Sequence, residues 1–352
     1  MSKTRILTLL ALLLAPSLSL AGPVKLQLPT KNSAIFTSRP DDFYMYTDRT
    51  FEGVTSKPWQ AGQYGFVRNM KRTSEGVIGT RFHEGIDIKP VTRDDKGNPL
   101  DEVMAIATGQ VVYTNNTPGH SNYGRYVVVE HDWGDGPMFS LYAHLASIAV
   151  SPGQRVLTGT RLGRMGFTGA GINRTRAHLH LELGILFSQR FADFHSAYLS
   201  GPDRHGIHNG LNMSGLDIAN LYKQLRRNPN LTIPLFLRST PVYYKATTAR
   251  KGPLEIVERY PWLRRGDHAQ PSPSWEISFS ASGMPLAVAP SQRVVSRATV
   301  TYVRSTRSRH EYFTIKRLVG TGTRASLSST GARHLRLVTG DFPARKTEDT
   351  KN

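Results

Sequence analysis

The sequence predicts an all-β fold: a small Gly-rich antiparallel β-sheet core, then a second β-rich basic domain, with one short helix connecting them. Three observations carry this reading. Residues 61–190 hold short alternating apolar runs, "EVMAIATGQVVYT", "RYVVVEH", "FSLYAHL" and "HLHLELGI", with turn signals between them. One later segment, "SGLDIANLYKQLRRNPN", has a helical apolar stripe and a stop signal. From Leu211 onward, 23 Lys and Arg stand against 9 Asp and Glu, which places 14 of the chain's +19 net charges there.

In chain order, residues 1–21 read as a secretory signal peptide. Lys3 and Arg5 form a positive head, Ile6 to Leu14 an apolar run too short to span a bilayer, and Ser19 and Ala21 the small cleavage positions. The mature start is expected at Gly22, with export to the periplasm or the cell exterior. The 352-residue chain contains no cysteine, so no disulfide braces it and no thiolate serves as nucleophile or ligand. Residues 22–60 read as an N-terminal extension packing on the core domain. The core spans 61–190, with "DDKGNPLD" as a polar loop before the strand at Val103. A linker with the helix covers 191–230; Ser214 is its expected cap, and Ile218, Leu221, Tyr222 and Leu225 form its buried stripe. The basic β-rich domain covers 231–344, with strands expected at "IPLFL", "ATVTYVRS", "YFTIKRLVG" and "HLRLV". A polar tail, 345–352, ends the chain.

The stretch "RFHEGIDI", Arg81 to Ile88, comes close to the helical zinc signature H-E-x-x-H, with Asp87 in place of the second His. Gly85 beside β-branched Ile86, with Pro90 soon after, is poor for a helix. The segment reads as a strand or an extended turn, on which His83 and Asp87 share a face and Glu84 points away. In "HLHLEL", alternation puts His178, His180 and Glu182 on one face and three leucines on the other. In "SLYAHL", His144 shares a face with Tyr142 and Ser140. Catalytic zinc takes three protein ligands and keeps a fourth position for water. His83, Asp87 and either His178 or His180 would make a site of two imidazoles and one carboxylate, suited to one Zn2+ ion in a chain without thiolates. Two further histidines remain to handle protons.

The order H-x-x-x-D, Y-x-H-L, H-x-H-x-E resembles the lysostaphin-like, LytM-type zinc endopeptidases of peptidoglycan. The resemblance extends over Tyr64 to Gly184 through "GQVVYT", "YGRYVVVEH", "YAHL", "VLTGTRLG" and "TG". It implies a LytM-like peptidase core at 61–190. It also implies His83, Asp87 and His180 as zinc ligands, and His144 and His178 as catalytic histidines. The substrate it implies is a peptidoglycan stem peptide or cross-bridge. A non-catalytic module of the same type, activating another cell-wall hydrolase, is the alternative; such modules lack ligands or histidines that are all present here. A secreted peptidase acting on Gly-rich protein is a third reading.

Glu182 and Glu130 are candidates to orient an imidazole. "SNYGRY" and "FTGAGINRTRAH" read as groove walls, where Asn122 and Asn173 would meet a peptide. His205 and His208 read as a surface turn, His131 as a structural group or groove wall, and His268, His310 and His334 as a solvated face. His120 and His195 have no partner in the sequence. The hairpin "VSPGQRVLTGTRLG" resembles those of biotinyl and lipoyl carrier domains but lacks their lysine. The basic domain suits an anionic cell-wall polymer or a membrane surface; no specific nucleic-acid partner is expected.

Overall fold

The computed structural model describes residues 22–345. The expected leader at 1–21 and the tail beyond Arg345 lie outside the described residues. The fold is mostly β. Its main sheet has seven strands, in the order Arg155–Val156, Gly109–Asn115, Tyr126–Asp132, Pro137–Ala143, Leu179–Leu186 and Met213–Gly215, with Ile86–Ile88 also paired to Leu179–Leu186. All pairings in it are antiparallel.

Leu179–Leu186 is the strand on which the site depends. Its first half pairs with Ile86–Ile88, its last part with Met213–Gly215, and its other edge with Pro137–Ala143. That register sets His180 opposite Asp87 on one side and Ala143 on the other. Alternation along the strand sends Leu179, Leu181, Leu183 and Ile185 into the large core, where they meet Val127, Val129 and Tyr142. The other face carries a second apolar cluster of Tyr126, Val128, Phe139, Leu141, Ala143, Leu186 and Met213. Burial of each such aliphatic side chain contributes roughly 1.5–3 kcal/mol, so a one-residue register slip, which would exchange the two faces, is strongly disfavoured.

The N-terminal stretch packs on this sheet. Met45 N–H donates to the Asp87 carbonyl (2.8 Å), Lys89 N–H to that of Phe43 (2.8 Å), and Val24, Phe43 and Tyr44 join the large core. A long hairpin, Gly65–Thr73 with Gly76–His83, leads into the site. A separate four-stranded sheet orders Pro285–Ser291, Ser274–Phe279, Tyr244–Ala249 and Thr299–Val303. Its Ile277, Phe279 and Val288 belong to the same buried cluster as Leu181.

Four local expectations are corrected. The helix is Ile218–Arg227 and its cap is Asp217, whose side chain accepts from Asn220 N–H at 3.0 Å; Ser214 lies in the Met213–Gly215 strand. "IPLFL" is a short helix, Ile233–Leu237, started by Thr232, whose side chain accepts from Leu235 N–H. "HLRLV" lies in the helix Ser329–Thr339, capped by Ser328 and closed by Gly340 in the left-handed region, φ 70°. Its short alternation imitated a strand, while the end signals, a Ser before and a Gly after, were those of a helix. In "YFTIKRLVG", Tyr312 to Gly320, only the end is strand, where Leu318–Thr321 begins.

Candidate metal centre

The segment from Arg81 to Ile88 is strand, turn and strand: Gly76–His83 ends at His83, Glu84 and Gly85 turn the chain, and Ile86–Ile88 begins. A side chain at Gly85 would start 2.2 Å from the Leu181 carbonyl oxygen. Glycine is therefore what lets the turn lie flat on the neighbouring strand. His83, Asp87, His178 and His180 are all buried.

Each imidazole has one nitrogen tied to an acceptor, and this fixes what the other presents. His83 Nδ1–H donates to the Gln63 carbonyl (2.8 Å), His144 Nδ1–H to that of Thr168 (2.8 Å), and His178 Nδ1–H to that of Arg176 (2.6 Å). His180 is held the other way round, its Nε2–H donating to Glu182 Oε1 at 2.8 Å. Tyr123 O–H donates to the same oxygen at 2.7 Å. In the neutral rings the opposite nitrogens carry the lone pairs. His83 Nε2 and His180 Nδ1 lie 3.0 Å apart, and Asp87 Oδ1 lies 3.1 Å from the first and 3.0 Å from the second. His178 Nε2 is 3.3 Å from the same carboxylate oxygen. The other carboxylate oxygen, Oδ2, is occupied by Arg68 Nη2 at 2.5 Å.

Three lone-pair atoms in a near-equilateral triangle repel one another unless a positive charge sits among them. A tetrahedral ion bound at about 2.0–2.1 Å separates its ligand atoms by roughly 3.3 Å, close to the triangle seen here. The donor set thus fits a divalent ion, and among the described residues His83, Asp87 and His180 form a group able to hold one. The electrostatics agree. Burial opposes a charge on Asp87, yet His83, His178 and Arg68 hold its carboxyl well below the usual range. Burial likewise opposes a charge on His180, but hydrogen bonds to Asp87 and Glu182 raise it to about 9, so without an ion its Nδ1 holds a proton towards Asp87 that a bound cation would replace. His144 is pushed well below its ordinary value by burial and by the charges of His178 and His180.

His144 and His178 stack edge to face, ring centres 4.8 Å apart. His144 has a left-handed backbone, φ 63°, uncommon for a residue other than glycine. The alternation expected through "SLYAHL" therefore breaks there, and Leu145 joins the same core as Tyr142 rather than that of Leu141 and Ala143. All five histidine and aspartate positions line one cavity of about 1010 Å³. The loops at 121–126 and 167–178 contribute Ser121, Asn122, Tyr123, Gly171 and Arg176 to its walls.

Residues 81–189 match the sequence profile of peptidase family M23. Over this stretch the chain is similar to that family. Within it, a curated relative, the peptidoglycan DD-endopeptidase ShyA of Vibrio cholerae, is 38% identical over 104 residues. The match covers 27% of this chain and 22% of the relative, so the chain spans about a fifth of that protein. Among solved structures, the catalytic domain of the prophage-encoded M23 protein EnpA from Enterococcus faecalis is 25% identical, covering 35% of this chain and 86% of that one, with a TM-score of 0.24. The catalytic domain of lysostaphin from Staphylococcus simulans is 24% identical, covering 39% and 79%, with a TM-score of 0.24.

Several residues around the candidate centre differ from expectation. Glu182 does hold an imidazole, but Glu130 does not line the cavity; it pairs along the sheet with Gln110. Glu84 lines the cavity rather than pointing away, and burial together with the charge of Glu182 raises its carboxyl. His205 and His208 are buried, not on a surface turn: His205 Nδ1 meets Tyr113 Oη at 2.9 Å, and His208 stacks on Tyr113. His310 and His334 are buried and His268 is half-buried, so none lies on an open solvated face. His131 is a buried structural group between the Thr108 carbonyl and Ser140. His120, His195 and Asn122 line the cavity; Asn173 instead accepts from Arg176 N–H at 2.9 Å. Arg68, Tyr123 and Thr168 were not singled out from the sequence, since their roles come from contacts remote along the chain.

Proposed function

We propose that this protein is an exported zinc-dependent endopeptidase that hydrolyses peptide bonds in peptidoglycan stem peptides or cross-bridges, in the periplasm or outside the cell. One observation carries the reading. Three ligand-type atoms, His83 Nε2, Asp87 Oδ1 and His180 Nδ1, lie within about 3.1 Å of one another, beside two further imidazoles facing the same cavity. His83, Asp87 and His180 would hold one Zn2+ ion. Bound zinc would supply a Lewis acid that brings the pKa of a water towards about 7 and polarises the scissile carbonyl.

The chain's own groups handle the protons. His144 Nδ1–H is committed to Thr168 and His178 Nδ1–H to Arg176, so each presents a free Nε2. With their rings 4.8 Å apart, a proton on one disfavours a proton on the other. One Nε2 takes a proton from the attacking water, and the other donates to the leaving amine or to the tetrahedral oxyanion. Glu182, itself held by Tyr123, fixes the ring of His180 so that Nδ1 faces Asp87.

The basic region at 231–344 would hold the enzyme on an anionic cell-wall polymer or a membrane surface. The test is digestion of purified peptidoglycan by the full chain, with and without a chelator, reading the products by mass. Release of peptide-cleaved fragments, lost on chelation and restored by zinc, is expected. No cleavage with zinc present would turn the reading towards a non-catalytic activator.

A further inference from the structure

We infer that the cavity contains an anion subsite beside the metal centre, formed by Arg68, Arg81 and Arg176 with Arg49 adding its charge, which receives a free carboxylate of the bound peptide. This deepens the peptidase reading, on which it rests, by naming the substrate class: peptides bearing an ionised carboxylate, not their amides. Arg68, Arg81 and Arg176 line the same cavity as His83, Asp87, His178 and His180. Arg68 and Arg81 stand opposite each other across the hairpin ladder, an arrangement of like charges that works against strand pairing.

Two guanidinium groups lack a partner where they need one. Nε of Arg176 and Nε of Arg49 are buried with no hydrogen-bond acceptor among the described residues. A buried donor left unpaired is destabilising until something accepts from it. The Arg176 side chain is only 15% exposed, and the carboxylate near it, Asp48, stays 3.9 Å away. The four arginines share one field: after burial, the charges of Arg68, Arg176 and Arg81 are what depress the Arg49 guanidinium. Among the described residues, Asp48 and Asp87 are the acidic groups paired with this cluster, and Asp87 is directed at the metal site. A carboxylate offers the planar pair of acceptors that a guanidinium fork matches. Arg176 and His178 line the same cavity, so a carboxylate bound by Arg176 would share it with the metal centre.

The experiment measures binding to the zinc-loaded full chain carrying His144→Ala, so that no substrate is consumed. The probes are a stem-type peptide with free carboxylates, the same peptide as carboxamides, and inorganic phosphate alone. The free-carboxylate peptide is expected to bind at least tenfold more tightly than the amide. Arg49→Gln with Arg176→Gln should bring the ratio near unity, and the exposed Arg81→Gln should reduce it severalfold should the double variant melt. Equal affinity for acid and amide overturns the proposal. So does the absence of peptide binding, and so does phosphate binding as tightly as the peptide, which would make this a free-anion site. Peptidoglycan cleavage without carboxylate preference removes this inference alone. Carboxylate preference without cleavage by the native chain removes the hydrolytic reading and keeps the subsite.

Discussion

Glu75 and Ser308, 233 positions apart, meet where the Ser308 N–H donates to the Glu75 carboxylate at 3.2 Å. Arg307 N–H (2.9 Å) and Thr306 O–H (2.9 Å) donate to the same group. Glu75 lies at the tip of the hairpin that carries Arg68, Arg81 and His83, so the C-terminal part of the chain clasps the arm leading into the site. The Ser308 side chain first, then the Arg307 N–H, with the Thr306 hydroxyl and the Ser308 N–H, draw its carboxyl down to about 2. The clasp is therefore complete above the ordinary carboxylate range and loosens as pH falls towards 2. Glu75→Ala is expected to speed hydrogen exchange at 70–78 and 305–309 while leaving 179–186 protected. Unaltered exchange at the tip would show that the clasp carries no weight.

Ligand and proton-handling histidines should separate cleanly. His83→Ala and His180→Ala are each expected to abolish stoichiometric zinc together with hydrolysis. His144→Ala should keep one zinc per chain and lose roughly 10²–10⁴ in turnover. Metal analysis beside a peptide-cleavage assay reads both, and full activity in His144→Ala would refute its assigned role.

The Tyr123–Glu182–His180 chain predicts a graded effect. Removing the carboxylate in Glu182→Ala is expected to weaken zinc affinity by about 10–100-fold. Tyr123→Phe should weaken it less, since His180 keeps its acceptor. Chelator competition measures both, and wild-type affinity in Glu182→Ala would remove the orienting role.

His131 makes stability fall in mild acid. Burial pulls it down to about 4, against an unfolded value near 6.5. Between these values the unfolded chain binds the proton and the folded chain does not, so stability is full above about pH 6.5 and is lost as pH drops towards 4. The loss is on the order of 3 kcal/mol for a shift of this size. His208, also brought to about 4 by burial, acts in the same direction. Denaturant unfolding across that range should show the slope, and His131→Gln should flatten it; an identical slope in the variant would locate the effect elsewhere.

The β character of the core and the faces shared by residues within each short segment were legible because they rest on short-range patterning, whereas the grouping of positions 83, 87, 144, 178 and 180 was implied by the family resemblance. Period-two alternation put His180 and Glu182 on one face, and the strand register then delivered Asp87. What stayed hidden depends on contacts between distant segments. The choice between His178 and His180, which the residues left open and only the family resemblance made, turns on which ring nitrogen is free, and this is set by Glu182 in one case and by the Arg176 carbonyl in the other. The left-handed turn at His144 interrupts an alternation that looked continuous. In "HLRLV" five residues of apparent alternation were shorter than the helix that contains them, and burial of Leu335, Leu337 and Val338 decided the outcome.

Gly85 touches neither a proton nor a ligand atom, yet the Leu181 backbone closes on it so tightly that a methyl group would be a wedge. Driven in at that point, it would prise the Ile86–Ile88 edge away from its neighbour and carry Asp87 off from His180. The chemistry of this centre is thus hostage to an empty space: the least endowed residue of "HEGID" decides whether the others ever meet.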